Sequence, residues 1–330
     1  MDRAFDIISL GETMIRLSPP FHQRLEQATS LDLRVGGAEL SVAVGGARLG
    51  LRTAWISKLP DNPLGRLVAN KAREHGVDVS HVAWTTGERV GVYFVEFGAQ
   101  PRPSSVLYDR ADSAISRMRP DDFDWPAILS QARVFHVSGI TPALSPSCAE
   151  ATLAAAKAAA DAGTKVSVDV NYRAKLWSQE EARRVMTALM ESTDILITTE
   201  EDTKRVFGIE APDYREVARR LQQEFSLEAV AITLRETPSV LRNRWSTFAL
   251  VGGEVYEAPV YEVEVVDRLG AGDSFAAGFL WGYLQGDPAK AVAYGTAFSA
   301  LKHSVPGDFH WGTLAEVEAL VRDGGLRIRR

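Results

Sequence analysis

Val266-Asp267-Arg268-Leu269-Gly270-Ala271-Gly272-Asp273-Ser274-Phe275 joins two segments of different periodicity. Before it, Val260 to Val266 alternates in the manner of a strand. After it, Phe275 to Leu284 is apolar and fits a helix. Two glycines therefore stand at a strand-to-helix turn. Free backbone N–H groups at a helix N-terminus can hold an anion there, and glycine lets the main chain come close to it. Asp273 lies in the same turn. A carboxylate is a poor phosphate ligand, because like charges repel. It suits a base that takes a proton from an incoming hydroxyl while the amides stabilise a transferring phosphoryl group. The residues alone also allow a plainer reading, in which Asp273 caps the helix and the glycines only turn the chain.

Outward from this turn, short apolar runs alternate with amphipathic stretches. Strands are expected at Phe5–Leu10, Thr53–Leu59, Val134–Val137, Lys165–Val170, Asp194–Thr198 and Ala229–Leu234. Helices are expected at Ala38–Leu49, Leu64–His75, Ser147–Ala162, Gln179–Glu191, Tyr214–Glu224 and Ala289–Leu301. This rhythm implies an α/β fold with a mostly parallel central sheet covered on both faces, and ligands at the strands' carboxyl ends. Residues near 12–35 and 88–114 break the rhythm. Thr13–Leu17, Leu31–Val35, Arg89–Phe97 and Ser104–Asp109 alternate strongly, and are expected to form a small lid sheet outside the main one. The exposed edges of such a lid favour pairing into a homo-oligomer.

The 330 residues fit one domain over 1–330. Apolar residues make up 45% and charged residues 24%, ordinary values for a soluble globular chain. The net charge of −6 argues against nucleic acid as a partner. Cys148 is the only cysteine, which excludes an intrachain disulfide and a Cys-rich metal site. No signal-peptide pattern opens the chain and no window reaches a membrane span, so a cytoplasmic location is expected.

Other polar clusters fall beside the expected strand ends. Gly36-Gly37-Ala38-Glu39 precedes a helix; Tyr93 and Tyr108-Asp109-Arg110 lie in the lid segments. Asp169-Val170-Asn171-Tyr172-Arg173-Ala174-Lys175-Leu176-Trp177 follows a buried strand, Thr198-Thr199-Glu200-Glu201-Asp202 another, and Thr233-Leu234-Arg235-Glu236 a third. Lys302-His303-Ser304-Val305-Pro306-Gly307-Asp308 follows the last expected helix. Each admits a structural reading: a tight turn at Gly36-Gly37, core packing for Tyr93, a surface Arg110, an ion pair for Arg173, a helix cap at Thr199, an Arg235–Glu236 pair, a satisfied His303. No Walker-type phosphate loop, zinc-binding His pair or protein-kinase string is present.

Asp267, Gly270, Ala271, Gly272, Asp273 and Phe275 match a signature of the ribokinase-like (PfkB) carbohydrate kinases, which the chain resembles over nearly its whole length. The Asp169–Trp177 block, Thr233–Glu236 and Lys302–Asp308 resemble the 2-keto-3-deoxygluconate kinase branch of that family. The resemblance implies a ribokinase-like three-layer α/β/α sandwich with a small β lid. It implies ATP-dependent transfer to the 6-hydroxyl of a keto-deoxy sugar acid, with Mg²⁺ and possible use of a monovalent cation. Asp273 would be the base and Gly270, Ala271, Gly272 the anion hole. Gly36, Gly37, Ala38, Glu39, Tyr93, Tyr108, Arg110 and Arg173 would meet the sugar acid. Asn171, Thr233, Arg235, Gly270, Gly272 and His303 would meet ATP, and Asp202 would serve the metal through water. Ser41 and Thr199 stand where the family usually carries Asn, and Asp202 where it carries Glu. Two readings stay open beside this one: a fructokinase or other sugar kinase of the same fold, and a non-catalytic sugar-binding regulator. Two guanidinium groups, Arg110 and Arg173, would lack partners over a neutral sugar, which argues for an acid.

Overall fold

Ile7 and Ile8 are both fully buried although they point to opposite faces of one strand. That pattern belongs to a parallel sheet covered on both sides. In the computed structural model, which describes residues 3–323, this strand is β1 (Phe5–Leu10) at the centre of the large sheet. The domain expected over 1–330 thus reaches at both ends beyond the described residues. The chain runs on through β2 (Met14–Ser18), β3 (Asp32–Gly36), α1 (Ala38–Arg48), β4 (Thr53–Pro60), α2 (Pro63–Glu74), β5 (Val82–Thr85), β6 (Val92–Glu96) and β7 (Ser105–Asp109). Next come α3 (Trp125–Leu129), β8 (Ala132–Ser138), α4 (Pro146–Asp161), β9 (Lys165–Asp169), α5 (Gln179–Met190), β10 (Ile195–Thr199) and the short α6 (Glu200–Asp202). The last elements are α7 (Tyr214–Phe225), β11 (Ala229–Ser239), β12 (Arg242–Val251), β13 (Glu254–Glu257), β14 (Tyr261–Glu264), α8 (Ala271–Leu284), α9 (Pro288–Lys302) and α10 (Leu314–Asp323).

The large sheet has the order β13-β12-β11-β10-β9-β8-β1-β4-β5, with β14 paired to β12. From β11 to β5 its pairs are parallel; β11, β12, β13 and β14 pair antiparallel. One face packs Ile8, Leu10, Phe135, Val137 and Val168 against residues of α4 and α5 such as Ala155 and Met186. The other packs Ile7, Val134, Ile195 and Ile197 with Phe275, Phe279 and Phe298 of α8 and α9. The lid is a separate sheet of order β3-β2-β6-β7. Both expected sheets are present, and the lid strands fall within the segments that broke the βα rhythm.

Two expectations need correction. The strand entering the anion-hole turn, β14, pairs antiparallel with β12, so that motif does not hang from a parallel core strand, whereas Gly36 ends a lid strand as expected. β11 was expected to stop at Leu234. It runs on to Ser239, and its outer half forms an exposed ribbon with β12. Arg235 to Pro238 are exposed there, so no buried alternation marks the extension.

Asn62, Asp124, Ser145, Ser178, Asp213 and Asp287 each cap a helix by accepting a backbone N–H. α1 and α8 differ. They begin at Gly37 and Gly270 with no side-chain cap. Both glycines lie at the same cavity, where their helices present free N–H groups.

Candidate active site

A cavity of about 550 Å³ opens between the lid and the carboxyl ends of the sheet. Gly36, Gly37, Ala38, Tyr93, Tyr108, Arg110, Asn171, Arg173, Asp202, Thr233, Arg235, Gly270, Ala271, Gly272, Asp273 and His303 all line it. Glu39 does not. It is fully buried beneath the wall, where Oε1 accepts from Ser138 N, Ser138 Oγ and Thr141 Oγ1 at 2.7–3.1 Å. The expected ligand contact from Glu39 is therefore replaced by a structural one, with burial pushing its pKa up. Ser41 is likewise buried, its Oγ without a hydrogen-bond partner among the described residues.

Gly270 has φ 81°, a left-handed conformation that glycine adopts at no steric cost. A Cβ there would overlap the Asp308 carbonyl oxygen, whereas one at Gly272 would meet open space. The first glycine is thus demanded by packing, and the second keeps the cavity side clear. Asp273 follows in the first turn of α8. Its carboxylate accepts none of the hydrogen bonds among the described residues, so it caps nothing. Burial first, then the charges of Asp169, Glu39 and Asp308, push its pKa well above the usual carboxylate range, against the pull of Arg173.

Asp169 ends β9 and accepts from Asn171 N at 3.1 Å. Asn171 itself sits at φ 38°, which turns the chain sharply off the strand. Burial and then the Asp202 charge push Asp169 up to about 7. Burial also raises Asp202. Asp202 N donates to Thr199 Oγ1 at 3.1 Å, so the cap expected of Thr199 is real. Arg173 is exposed to the cavity. It donates only to its neighbour's carbonyl, Tyr172 O, at 3.3 Å, and forms no ion pair within 4.0 Å among the described residues. It does lower the pKa of Asp169, Asp202 and Asp273 across the cavity.

On the lid side, Tyr93 and Tyr108 face each other across β6 and β7, ring centroids 5.9 Å apart. Tyr93 OH donates to Asp308 Oδ2 at 2.6 Å. Arg110 is ion-paired with the buried Glu12, which also accepts from Ser113 Oγ at 2.6 Å. The expectation of two unpartnered guanidinium groups is thereby corrected: Glu12 neutralises Arg110, and of the two only Arg173 forms no ion pair within 4.0 Å among the described residues.

At the ribbon end, the alternative Arg235–Glu236 pair is not formed among the described residues. Glu236 pairs with Arg244 at 2.7 Å, and Arg235 faces the cavity near Arg268, whose pKa is lowered by burial and by the Arg235 charge. His303 Nδ1 donates to Ser299 O at 2.8 Å, and Asn243 Nδ2 donates to His303 Nε2 at 3.3 Å. Burial holds its pKa near 4, so it lines the cavity as a neutral, satisfied ring beside Trp245.

The sequence reading missed Glu12, Arg268 and Arg16 and gave Asp308 no role. Arg16, on β2, is fully buried and reaches Asp267 Oδ2 and Asp308 Oδ1, each at 2.7 Å. An arginine in an otherwise apolar strand (Met14, Ile15, Leu17) was the available signal, since an isolated buried cation requires anionic partners.

Residues 4–310 match the pattern of the pfkB family carbohydrate kinases. The chain belongs to that family. It is thus a phosphotransferase with an alcohol group as acceptor, and its fold is ribokinase-like. It is 43% identical over 326 residues to 2-dehydro-3-deoxygalactonokinase of Haloferax volcanii, covering 98% of this chain and 99% of that protein. It is 44% identical to 2-dehydro-3-deoxygluconokinase of Thermotoga maritima, whose crystal structure superposes with a TM-score of 0.94 over 96% of this chain and 98% of that one. A more distant Escherichia coli structure of the same fold, 20% identical with a TM-score of 0.84 over 96% and 99% of the two chains, holds ATP and Mg²⁺.

Kinases of this family use ATP with Mg²⁺, and the cavity suits both. Uncapped α8 amides with Arg235 and Arg268 offer a cationic bed for phosphates. Among the described residues no three acids or histidines converge into a metal cage. Mg²⁺ needs none, because it binds one or two carboxylates and completes its shell with phosphate and water. Asp169 and Asp202 both line the cavity, the Asp202 charge raising the Asp169 pKa, and could serve as such carboxylates. Among the described residues no helix is long and apolar enough to cross a membrane.

Proposed function

We propose that this kinase phosphorylates the 6-hydroxyl of 2-keto-3-deoxygluconate, as one catalytic domain. The observation that carries the reading is the pairing, in one cavity, of an Asp273 free of side-chain hydrogen bonds at the α8 N-terminus with an Arg173 that forms no ion pair within 4.0 Å, both among the described residues. A sugar acid fits both: its carboxylate takes the guanidinium bidentately, and its far hydroxyl meets the base. ATP supplies the phosphoryl group, and Mg²⁺ held by Asp169 and Asp202 offsets its charge. Asp273 takes the proton from O6 as O6 bonds to the γ-phosphorus and the bond to the ADP oxygen breaks. The Gly270–Asp273 amides carry the charge of the transferring group. Gly36, Gly37, Ala38, Tyr93 and Tyr108 shape the sugar side; Glu12 holds Arg110 in place there. Thr233 and Arg235 flank the nucleotide, with His303 a neutral wall. The lid excludes water, which would otherwise compete as acceptor.

The 43% identity to the Haloferax volcanii galactonokinase favours a second reading, in which the C4 epimer is the substrate. Steady-state ATP consumption with both keto-deoxy acids and fructose tests the assignment. Either acid should exceed fructose in kcat/KM by at least ~10-fold, the worth of one charged hydrogen bond. Equal rates would make the chain a neutral-sugar kinase, and sugar binding without turnover would make it a regulator. On the outer lid face Leu33, Leu17, Phe94 and Leu107 are in register across all four strands, with Leu33 and Leu107 exposed. This row supports lid-to-lid dimers, and Leu107→Glu should give a monomer by light scattering. The free buried thiol of Cys148 accords with a cytoplasmic location.

A further inference from the structure

We infer that Lys302 is a built-in substitute for a monovalent cation, holding the anion-hole turn so that turnover needs no potassium. The inference rests on the kinase reading above. Lys302 ends α9 and is fully buried. Its Nζ donates to Val305 O at 3.0 Å and to Asp267 O at 3.4 Å, and no carboxylate lies within 4.0 Å of it among the described residues. An ammonium held by main-chain carbonyls has the ligand type that a bare potassium ion takes.

The neighbouring oxygens are already occupied. Asp267 Oδ2 accepts from Arg16 Nη2 at 2.7 Å and Gly307 N at 2.8 Å, and its Oδ1 accepts from Leu269 N at 3.1 Å. Asp308 Oδ1 accepts from Arg16 Nη1, and its Oδ2 accepts from Tyr93 OH. Two buried carboxylates, Asp267 and Asp308, thus face two buried cations, Arg16 and Lys302. A third cation would enter with no counterion, a costly state away from water. Burial lowers the Lys302 pKa, and the charges of Asp267 and Asp308 oppose that fall. The monovalent cation that the family resemblance suggested therefore does not fit this site.

The consequence reaches the reacting end without Lys302 touching substrate. Asp267 lies three residues before Gly270, and Asp308 O packs against the Gly270 Cα. Fixing the Asp267 and Val305 carbonyls fixes both strands of chain that frame the turn. Lys302 is a positioning residue for the anion hole.

The test uses the full chain, assayed in KCl against choline chloride at equal ionic strength. Wild-type kcat and KM should be unchanged between the two salts, and so should the melting temperature. Lys302→Ala leaves space for an ion. In choline chloride its kcat should fall by on the order of 10-fold or more, with KM for the sugar acid nearly constant. KCl or NH4Cl, but not LiCl, should restore activity and raise its melting temperature. Lys302→Met fills the space without charge and should not be rescued. Potassium-stimulated wild-type turnover, or a Lys302→Ala variant with full kcat in choline chloride, overturns the inference. Should neither variant fold, the wild-type titration still decides it. Wild-type protein that turns over no sugar acid would sink the kinase reading instead, while the melting comparison continues to test Lys302.

Discussion

Two clusters of charge meet at the anion-hole turn, through Asp267 before it and Asp273 after it, and are built on opposite plans. Around Arg16, Asp267, Asp308 and Lys302 each carboxylate oxygen has a donor, and cations equal anions. Around Asp169, Asp202 and Asp273 only Arg173, among the described residues, lowers all three carboxylates, and all three still have raised pKa values. The first cluster is complete without a ligand; the second is not. Buried charge left unmatched marks the place where a charged ligand is needed to complete the site. Substitutions in the balanced cluster should therefore cost stability first, and those in the unbalanced one activity first.

The sharpest contrast is Asp273→Asn. Its kcat should fall by ~10²–10⁴, the usual worth of a general base. Its melting temperature should hold or rise, because a repelled carboxylate is removed. Wild-type-like turnover in a coupled assay would erase the distinction. Arg16→Met should behave oppositely, losing roughly 3–5 kcal/mol in urea unfolding, since Asp267 and Asp308 would be left without their shared partner. A negligible loss would show that the balanced cluster holds nothing together.

Arg173→Ala should lower kcat/KM for the keto-deoxy acid by roughly 10–150-fold, the worth of one charge-assisted hydrogen bond, and spare fructose. Equal losses on both would place Arg173 with ATP or with the fold. The smallest effect on stability belongs to Asp169→Asn, whose kcat should also fall because a proposed Mg²⁺ ligand is lost. A carboxyl with a folded pKa of about 7 binds its proton more tightly folded than unfolded. Its stabilising effect is full below the unfolded value near 4 and is lost as pH rises through about 7. The variant should therefore melt higher than wild type at pH 8, by about 2–4 °C per kcal/mol relieved, and show no such gain at pH 4. Removing the same charge lowers the Asp273 pKa, so the acid limb of kcat/KM should move to lower pH.

The unbalanced cluster was largely legible in the sequence and the balanced one was not. Asp273, Asp169 and Arg173 stand where a strand pattern gives way to a helix or loop, and such junctions in a parallel sheet collect ligands. Asp308 was visible only as a letter in a string, because its partner Arg16 lies hundreds of residues away on β2, and Lys302 because its partners are main-chain carbonyls that carry no sequence signal. Arg110 misled for the same reason: Glu12, which neutralises it, is remote in the chain. Glu39 occupies the first turn of a cavity-side helix, and local pattern does not reveal that it turns inward to Ser138 and Thr141. The lid was readable because alternation is a local property. The extension of β11 was not, because Arg235 to Pro238 are all exposed and leave no alternation to read.

The position of β1 bears on how the chain reaches this structure. Of the described strands β1 is made first, yet it lies mid-sheet, with Thr53 of β4 on one side and Ala132 of β8 on the other. During synthesis the β4 side can close early. The β8 side stays open for on the order of ten seconds more at ~5–20 residues per second. Over that interval Phe5–Leu10 presents an apolar, unpaired edge to any neighbouring nascent chain. Yield of soluble protein should therefore depend on translation rate and on chaperones that shield extended segments, even where the finished enzyme is stable.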